Sequence, residues 1–108
     1  MTLLQQRDVA RLERRLVAYA ETRQQLRGAL AELIPGREVI VFGSLTKPGV
    51  FNDRSDVDLA LSEPTSGIET LHLTAELTDR LCRPVDLIRL DQSRFREKIL
   101  REGERWTA

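Results

Sequence analysis

Net charge is missing from this 108-residue chain: 17 basic and 17 acidic residues cancel. That balance argues against a nucleic-acid binder recruited by bulk charge. Cysteine is nearly missing too. The lone Cys82 excludes an internal disulfide and suits a reducing compartment. Its packing role reads as a small buried hydrophobe near a helix end rather than a nucleophile. No apolar run approaches the ~18 residues that a membrane span needs. Gln5, Gln6, Arg7 and Asp8 come too early for a secretory signal. The expectation is a cytoplasmic protein with no membrane partner. Lysine is scarce, at two against fifteen arginines, and arginine is the better fork for carboxylate and phosphate. Most of those arginines read as solvated helix faces.

What remains fits one domain over residues 1–108, with a helical segment over 1–34 and a core over 37–103. Thr2-Leu3-Leu4-Gln5 has the form of a capping box. Apolar residues then recur at Val9, Leu12, Leu16, Tyr19, Leu26, Leu30 and Leu33, with Arg23 occupying one seam position. Pro35-Gly36 ends the pattern. An unbroken helix of that length would be about 48 Å long at ~1.5 Å per residue. A domain of this size has a radius of gyration near ~13 Å. Either the helix breaks around Gly28 or part of it projects.

Glu38 to Phe42 reads as a first strand, Asp56 to Leu61 as a second, and Val85 to Leu90 as a third. Ser66-Gly67-Ile68-Glu69 opens a helix running to about Cys82, with Ile68, Leu71, Ala75, Leu77 and Leu81 as packing candidates. Asp91 or Ser93 caps a last helix bearing Phe95, Ile99 and Leu100, and Gly103 stops it. Trp106, beyond that stop, is either tucked against the body or part of an interface, the interface being the preferred reading. The fold class is α/β (α+β): a small mixed sheet of about three strands packed with helices, behind a long N-terminal helix.

The chemistry concentrates in Gly43 to Leu59. In Asp56-Val57-Asp58 the two carboxylates lie on one face of a strand, about 6.6 Å apart at ~3.3 Å rise per residue. They can lean toward a hard cation, which relieves their repulsion. Mg²⁺ takes few protein carboxylates and completes its shell with water and substrate phosphates. Asp86, the only acid inside the third strand, supplies a third carboxylate if that strand lies beside the second. Gly43 lets backbone approach a phosphate, Ser44 offers a hydroxyl and an amide, and Lys47 is a point charge for distal phosphates. Alone, an Asp-x-Asp is usually a solvated edge, and Gly-Ser an ordinary turn. Their joint placement at strand ends, in this order, carries the reading. His72 reads as a surface or packing residue, and Arg54 as a loop residue within reach of a phosphate.

Gly43-Ser44, eleven residues, then Asp56-Val57-Asp58-Leu59 resembles the signature of the polymerase-β-like nucleotidyltransferases. With the short length and the later Val85-Asp86-Leu87-Ile88, it resembles their minimal, MntA-like antitoxins, which pair with HEPN-type RNase toxins. The resemblance implies ATP as substrate, Mg²⁺ (two ions) as cofactor, and AMP transfer to a tyrosine of the partner toxin. By position, Asp56, Asp58 and Asp86 become the catalytic and metal-binding acids, while Gly43 and Ser44 hold the triphosphate. Two departures stand out. Pro48 lengthens the Ser44–Asp56 loop by about one residue, and Leu45 stands where many relatives carry a basic or aromatic residue. The rival readings are a non-catalytic antitoxin that neutralises by binding, and a nucleotidyltransferase acting on a small molecule.

Overall fold

In the computed structural model, which describes residues 1–108, the first helix begins where the capping box places it. Thr2 Oγ1 accepts from the Gln5 amide at 3.1 Å, and Gln5 Oε1 accepts from the Thr2 amide at 2.8 Å. Helix α1 then runs unbroken over Leu3–Leu33. Gly28 does not break it: a Cβ there would meet nothing within 4 Å, while Leu26, Ala29 and Leu30 on either side are buried. Packing on both flanks outweighs the roughly 1 kcal/mol that one glycine costs a helix. The other alternative holds, and α1 projects. Every residue before Ala10 is exposed, the molecule measures 53 × 28 × 19 Å, and its radius of gyration is 15.2 Å.

Strands β1 (Glu38–Phe42), β2 (Val57–Leu61) and β3 (Val85–Arg89) match the sequence reading to within a residue. A fourth, β4 (Glu104–Thr107), completes a sheet of order β3-β2-β1-β4. β1 runs antiparallel to both β2 and β4, whereas β2 and β3 are parallel. A parallel pair needs a crossover, and α2 (Gly67–Leu81) supplies it, capped by Ser66 Oγ accepting from the Glu69 amide at 3.1 Å. Helices α1 and α2 cover one face of the sheet, where Val57, Leu59 and Leu61 join Leu26, Leu30 and Leu77 in the main core. Glu32 of α1 and Arg80 of α2 pair across the top of that layer. On the opposite face, with α3 (Arg96–Glu102), the buried cluster is smaller: Ile40, Ala60, Leu90 and Ile99, with Phe42, Ile88 and Leu100 partly buried against them. Much of that second face therefore stays open.

Several packing expectations are corrected. In α2 the buried stripe is Leu73, Leu77 and Leu81. Ile68 and Leu71 are 70% and 69% exposed, and Ala75 is exposed as well. The sequence offers two apolar stripes, and the sheet accepts only the one continuous with its own core. Cys82 is exposed because it ends α2 in the left-handed region, at φ 52°. Neither Asp91 nor Ser93 caps the last helix. Ser93 Oγ instead accepts from the Phe95 amide at 3.1 Å, and α3 starts at Arg96 with no side-chain cap. Phe95 is exposed rather than packed. Trp106 is not a free interface residue: it is 6% exposed, sits in β4, and belongs to the main core.

Candidate active site

Strand alternation puts Asp58 on the face opposite Val57 and Leu59, and Asp86 opposite Val85 and Leu87. The parallel register sets Asp58 directly beside Asp86. Asp56 immediately precedes β2 instead of opening it. Asp56 and Asp86 are exposed and Asp58 is half-buried. Burial first, then repulsion from Asp86 and from Asp56, pushes the Asp58 carboxyl up to about 6. Asp58 is therefore the member of the three on which the charges of the other two converge. The three acids do not close into a cage, since no group of three acid, His or Cys side chains is gathered tightly enough to hold one ion. Hard oxygen donors, spread out and mutually repelling, fit a cation such as Mg²⁺ that takes only part of its shell from the protein. A divalent ion there would neutralise the carboxylates and the oxygens of a bound phosphate together.

The Gly43 backbone stands against this group. Phe42 pairs with Asp58 in the antiparallel register, and Gly43 follows at φ +73°. A Cβ on Gly43 would lie 2.3 Å from Asp58 Oδ2. Glycine is required twice, by conformation and by space. Gly43–Thr46 forms a 3₁₀ turn, in which the Thr46 hydroxyl donates to Gly43 O at 2.7 Å. The Lys47 amide donates to Ser44 O at 2.9 Å to close it. Leu45 is fully buried in the main core, which explains an apolar residue at that position. Gly43→Ala is expected to lower stability by about 1–3 kcal/mol, the usual cost of forcing a side chain into a strained backbone region. It should also displace the Asp58 carboxylate, so urea denaturation and nucleotide turnover should both fall.

The loop with the extra Pro48 is held by a residue that sequence reasoning missed. Arg83 Nη1 donates to Asn52 O at 3.1 Å and Ser55 O at 2.9 Å, and its guanidinium lies 4.6 Å from the centroid of the buried Phe51 ring. Those carbonyls lie just ahead of Asp56, so Arg83 fixes the approach of that carboxylate. Nothing local in the sequence signals a contact between residues 31 positions apart.

A cleft of about 840 Å³ opens on the uncovered sheet face. Gly43, Thr46, Lys47 and Asp86 line it from the sheet and its turn, while Lys98 and Glu102 line it from α3 and Phe95 from the residue before α3. The cleft is large enough for a nucleotide. Of the sequence-predicted residues it joins Gly43, Lys47 and Asp86, with Asp58 beside them through Gly43 and Asp86. Ser44 is half-buried in the turn and is not on the cleft wall. His72 is exposed on α2, and Arg54 faces a separate polar hollow with Arg11, Arg14 and Arg15. Lys98 and Glu102 went unread as site residues because α3 is too short to show a polar stripe, and Phe95 reads from sequence only as part of the last helix.

No curated protein is significantly similar in sequence to this chain. The profile of the family described as polymerase beta, nucleotidyltransferase matches residues 24–106. Among solved structures, a toxin–antitoxin with AMP-PNP is similar at a TM-score of 0.62 and 23% identity, over 79% of this chain and 73% of that one. The toxin–antitoxin MntA–HepT is similar at a TM-score of 0.58 and 20% identity, over 82% and 73%. Likeness at these identities establishes the fold: a mixed sheet, its helices and a long N-terminal helix.

Proposed function

The chain belongs to the polymerase beta, nucleotidyltransferase family, and from that premise we propose that it transfers AMP from ATP to a tyrosine hydroxyl of a partner HEPN-type RNase toxin, silencing it as an antitoxin. The observation that carries this reading is the alignment of Asp58 and Asp86 abreast on parallel strands, against the Gly43 backbone. In the reaction, the acceptor oxygen bonds to the α-phosphorus, the bond from that phosphorus to the bridging oxygen breaks, and pyrophosphate leaves. Asp86, exposed at the cleft wall, takes the hydroxyl proton. Asp56 and Asp58 would hold Mg²⁺, which when bound would supply stabilisation of the charge building on the phosphoryl oxygens. Gly43 and Lys47, which line the cleft, would meet the triphosphate and its distal end, while Ser44, set back from the cleft, would hold the turn that presents Gly43. The similar toxin–antitoxins, one of them with AMP-PNP, support both the nucleotide and the kind of partner.

A second reading, neutralisation by contact alone, is favoured by the projecting half of α1, where Leu3 and Leu4 are exposed. One experiment separates the two. The protein is incubated with ATP, Mg²⁺ and the toxin encoded beside it, and the toxin is weighed by mass spectrometry. Mass gains in AMP units are expected, lost in Asp56→Ala/Asp58→Ala and on adding EDTA. Neutralisation that survives the double variant with no mass gain would overturn transfer in favour of contact.

A further inference from the structure

Fifteen of the basic residues are arginines and two are lysines, and both lysines line the same cleft. Lys47 follows the turn after β1, and Lys98 stands in α3. The ion pairs of the molecule all use arginine: Arg23, Arg37, Arg80, Arg101 and Arg105. Glu102, which lines the cleft with Lys98, faces Arg101 at 4.0 Å. Neither lysine forms an ion pair, and both line one nucleotide-sized space, Lys47 from the turn and Lys98 from α3. A lysine is a compact charge on a flexible stem, suited to an anion that changes shape and leaves, where a guanidinium fork suits a fixed partner.

We propose that Lys98 is a second phosphate ligand, closing on the β- and γ-phosphates of the bound nucleotide from α3 while Lys47 meets them from the turn. The cleft is then a clamp with one lysine from the turn and one from α3, and it releases pyrophosphate when the α-phosphate has been transferred. This rests on the nucleotidyltransferase reading above. Lys98 is exposed, so its replacement leaves the core intact.

Equilibrium binding by calorimetry, on the full chain with Mg²⁺, tests it. Lys98→Ala is expected to weaken ATP and pyrophosphate roughly tenfold or more, the scale of one charge-assisted hydrogen bond. AMP, which lacks the distal phosphates, should bind the variant as it binds the wild type. Lys98→Arg should restore most of the ATP affinity, and Arg101→Ala, on the same helix, should change nothing. Unaltered ATP binding in Lys98→Ala would overturn the clamp alone, as would an equal loss for AMP. Wild-type protein that binds neither ATP nor pyrophosphate would overturn the nucleotide site and the clamp together. A fall in melting temperature for Lys98→Ala would reassign the residue to structure.

Discussion

Asp58→Asn should abolish transfer and yet, in metal-free protein at pH 7, raise the melting temperature. The two effects share one cause. Asp58 is held between Asp86 and Asp56 in a half-buried position, and its carboxyl titrates near 6 against an ordinary 3.8. Keeping it ionised at pH 7 therefore costs stability. A shift of about two units corresponds to roughly 3 kcal/mol at 1.36 kcal/mol per unit. Asp58 is only partly buried, and solvent screening lowers that figure to about 1 kcal/mol. For a chain of this size, 1 kcal/mol moves the melting temperature by about 4–8 °C. The amide keeps the shape and removes the charge, so the gain should appear in EDTA and shrink or reverse with excess Mg²⁺, which rewards the carboxylate instead. Between pH 3.8 and about 6 the folded wild type binds more protons than the unfolded chain. Its stability therefore falls as pH rises through that window, and Asp58→Asn should flatten this limb. Turnover should drop roughly 10³-fold, the scale of removing one preorganised electrostatic group. A variant that melts lower in EDTA, or keeps the wild-type pH limb, would show that Asp58 is not a strained carboxylate.

That strain is a property of the assembled sheet, and its ingredients are only partly local. The alternation of Val57, Leu59 and Leu61 against Asp58 is written in consecutive residues, so β2 and the outward aim of its acid are legible. The same holds for Thr2 and Ser66 as caps. That Asp86 stands directly abreast of Asp58 depends on a crossover helix and a register, and no run of residues states it. β4 shows the limit most clearly: Glu104-Arg105-Trp106-Thr107 has a single large apolar residue, too little alternation to read as a strand. It forms because Gly103 allows a tight exit from α3, where a Cβ would meet Ile40 Cγ2 at 2.5 Å and Ile99 O at 2.6 Å. β1 then offers a free edge. Ile68 and Leu71 fail for the converse reason. Their helical spacing is right, but which stripe of an amphipathic helix is buried is decided by the sheet beneath it.

Arg23→Ala should produce the largest loss of stability from a single polar change, about 2–3 kcal/mol, or a melting temperature lower by roughly 10–20 °C. In sequence Arg23 looks like a fault in the apolar seam of α1. In the fold its fork meets Glu104 through Nη1 at 3.2 Å and Nη2 at 2.7 Å. Nη1 also donates to Leu45 O at 2.9 Å. The guanidinium lies 4.9 Å from the Tyr19 ring centroid and 5.0 Å from that of Trp106, and its side chain is 17% exposed. Trp106 Nε1 donates to the same Glu104 carboxylate at 3.2 Å. One residue therefore fastens α1 to the first residue of β4 and to the turn that carries Gly43 and Ser44. Its loss strands Glu104 and a buried carbonyl, which costs more than the contacts alone. Arg23→Lys keeps the charge but not the fork, so most of the loss should persist. The hydrogen bond from Arg23, with help from Trp106, lowers the Glu104 pKa below its ordinary 4.5. The pair is then at full strength above that value and is lost as pH falls through the depressed one. Wild-type stability should decline on that acid limb, and Arg23→Ala should lack the decline. Urea titrations at pH 7 and pH 3 measure both effects, and equal acid sensitivity in the two proteins would remove Glu104 as the partner that matters. Because Leu45 O lies in the turn that carries Gly43 and Ser44, the proposed nucleotide site predicts a raised KM for ATP in the variant at temperatures where it stays folded. A brace placed for packing alone would leave that KM unchanged.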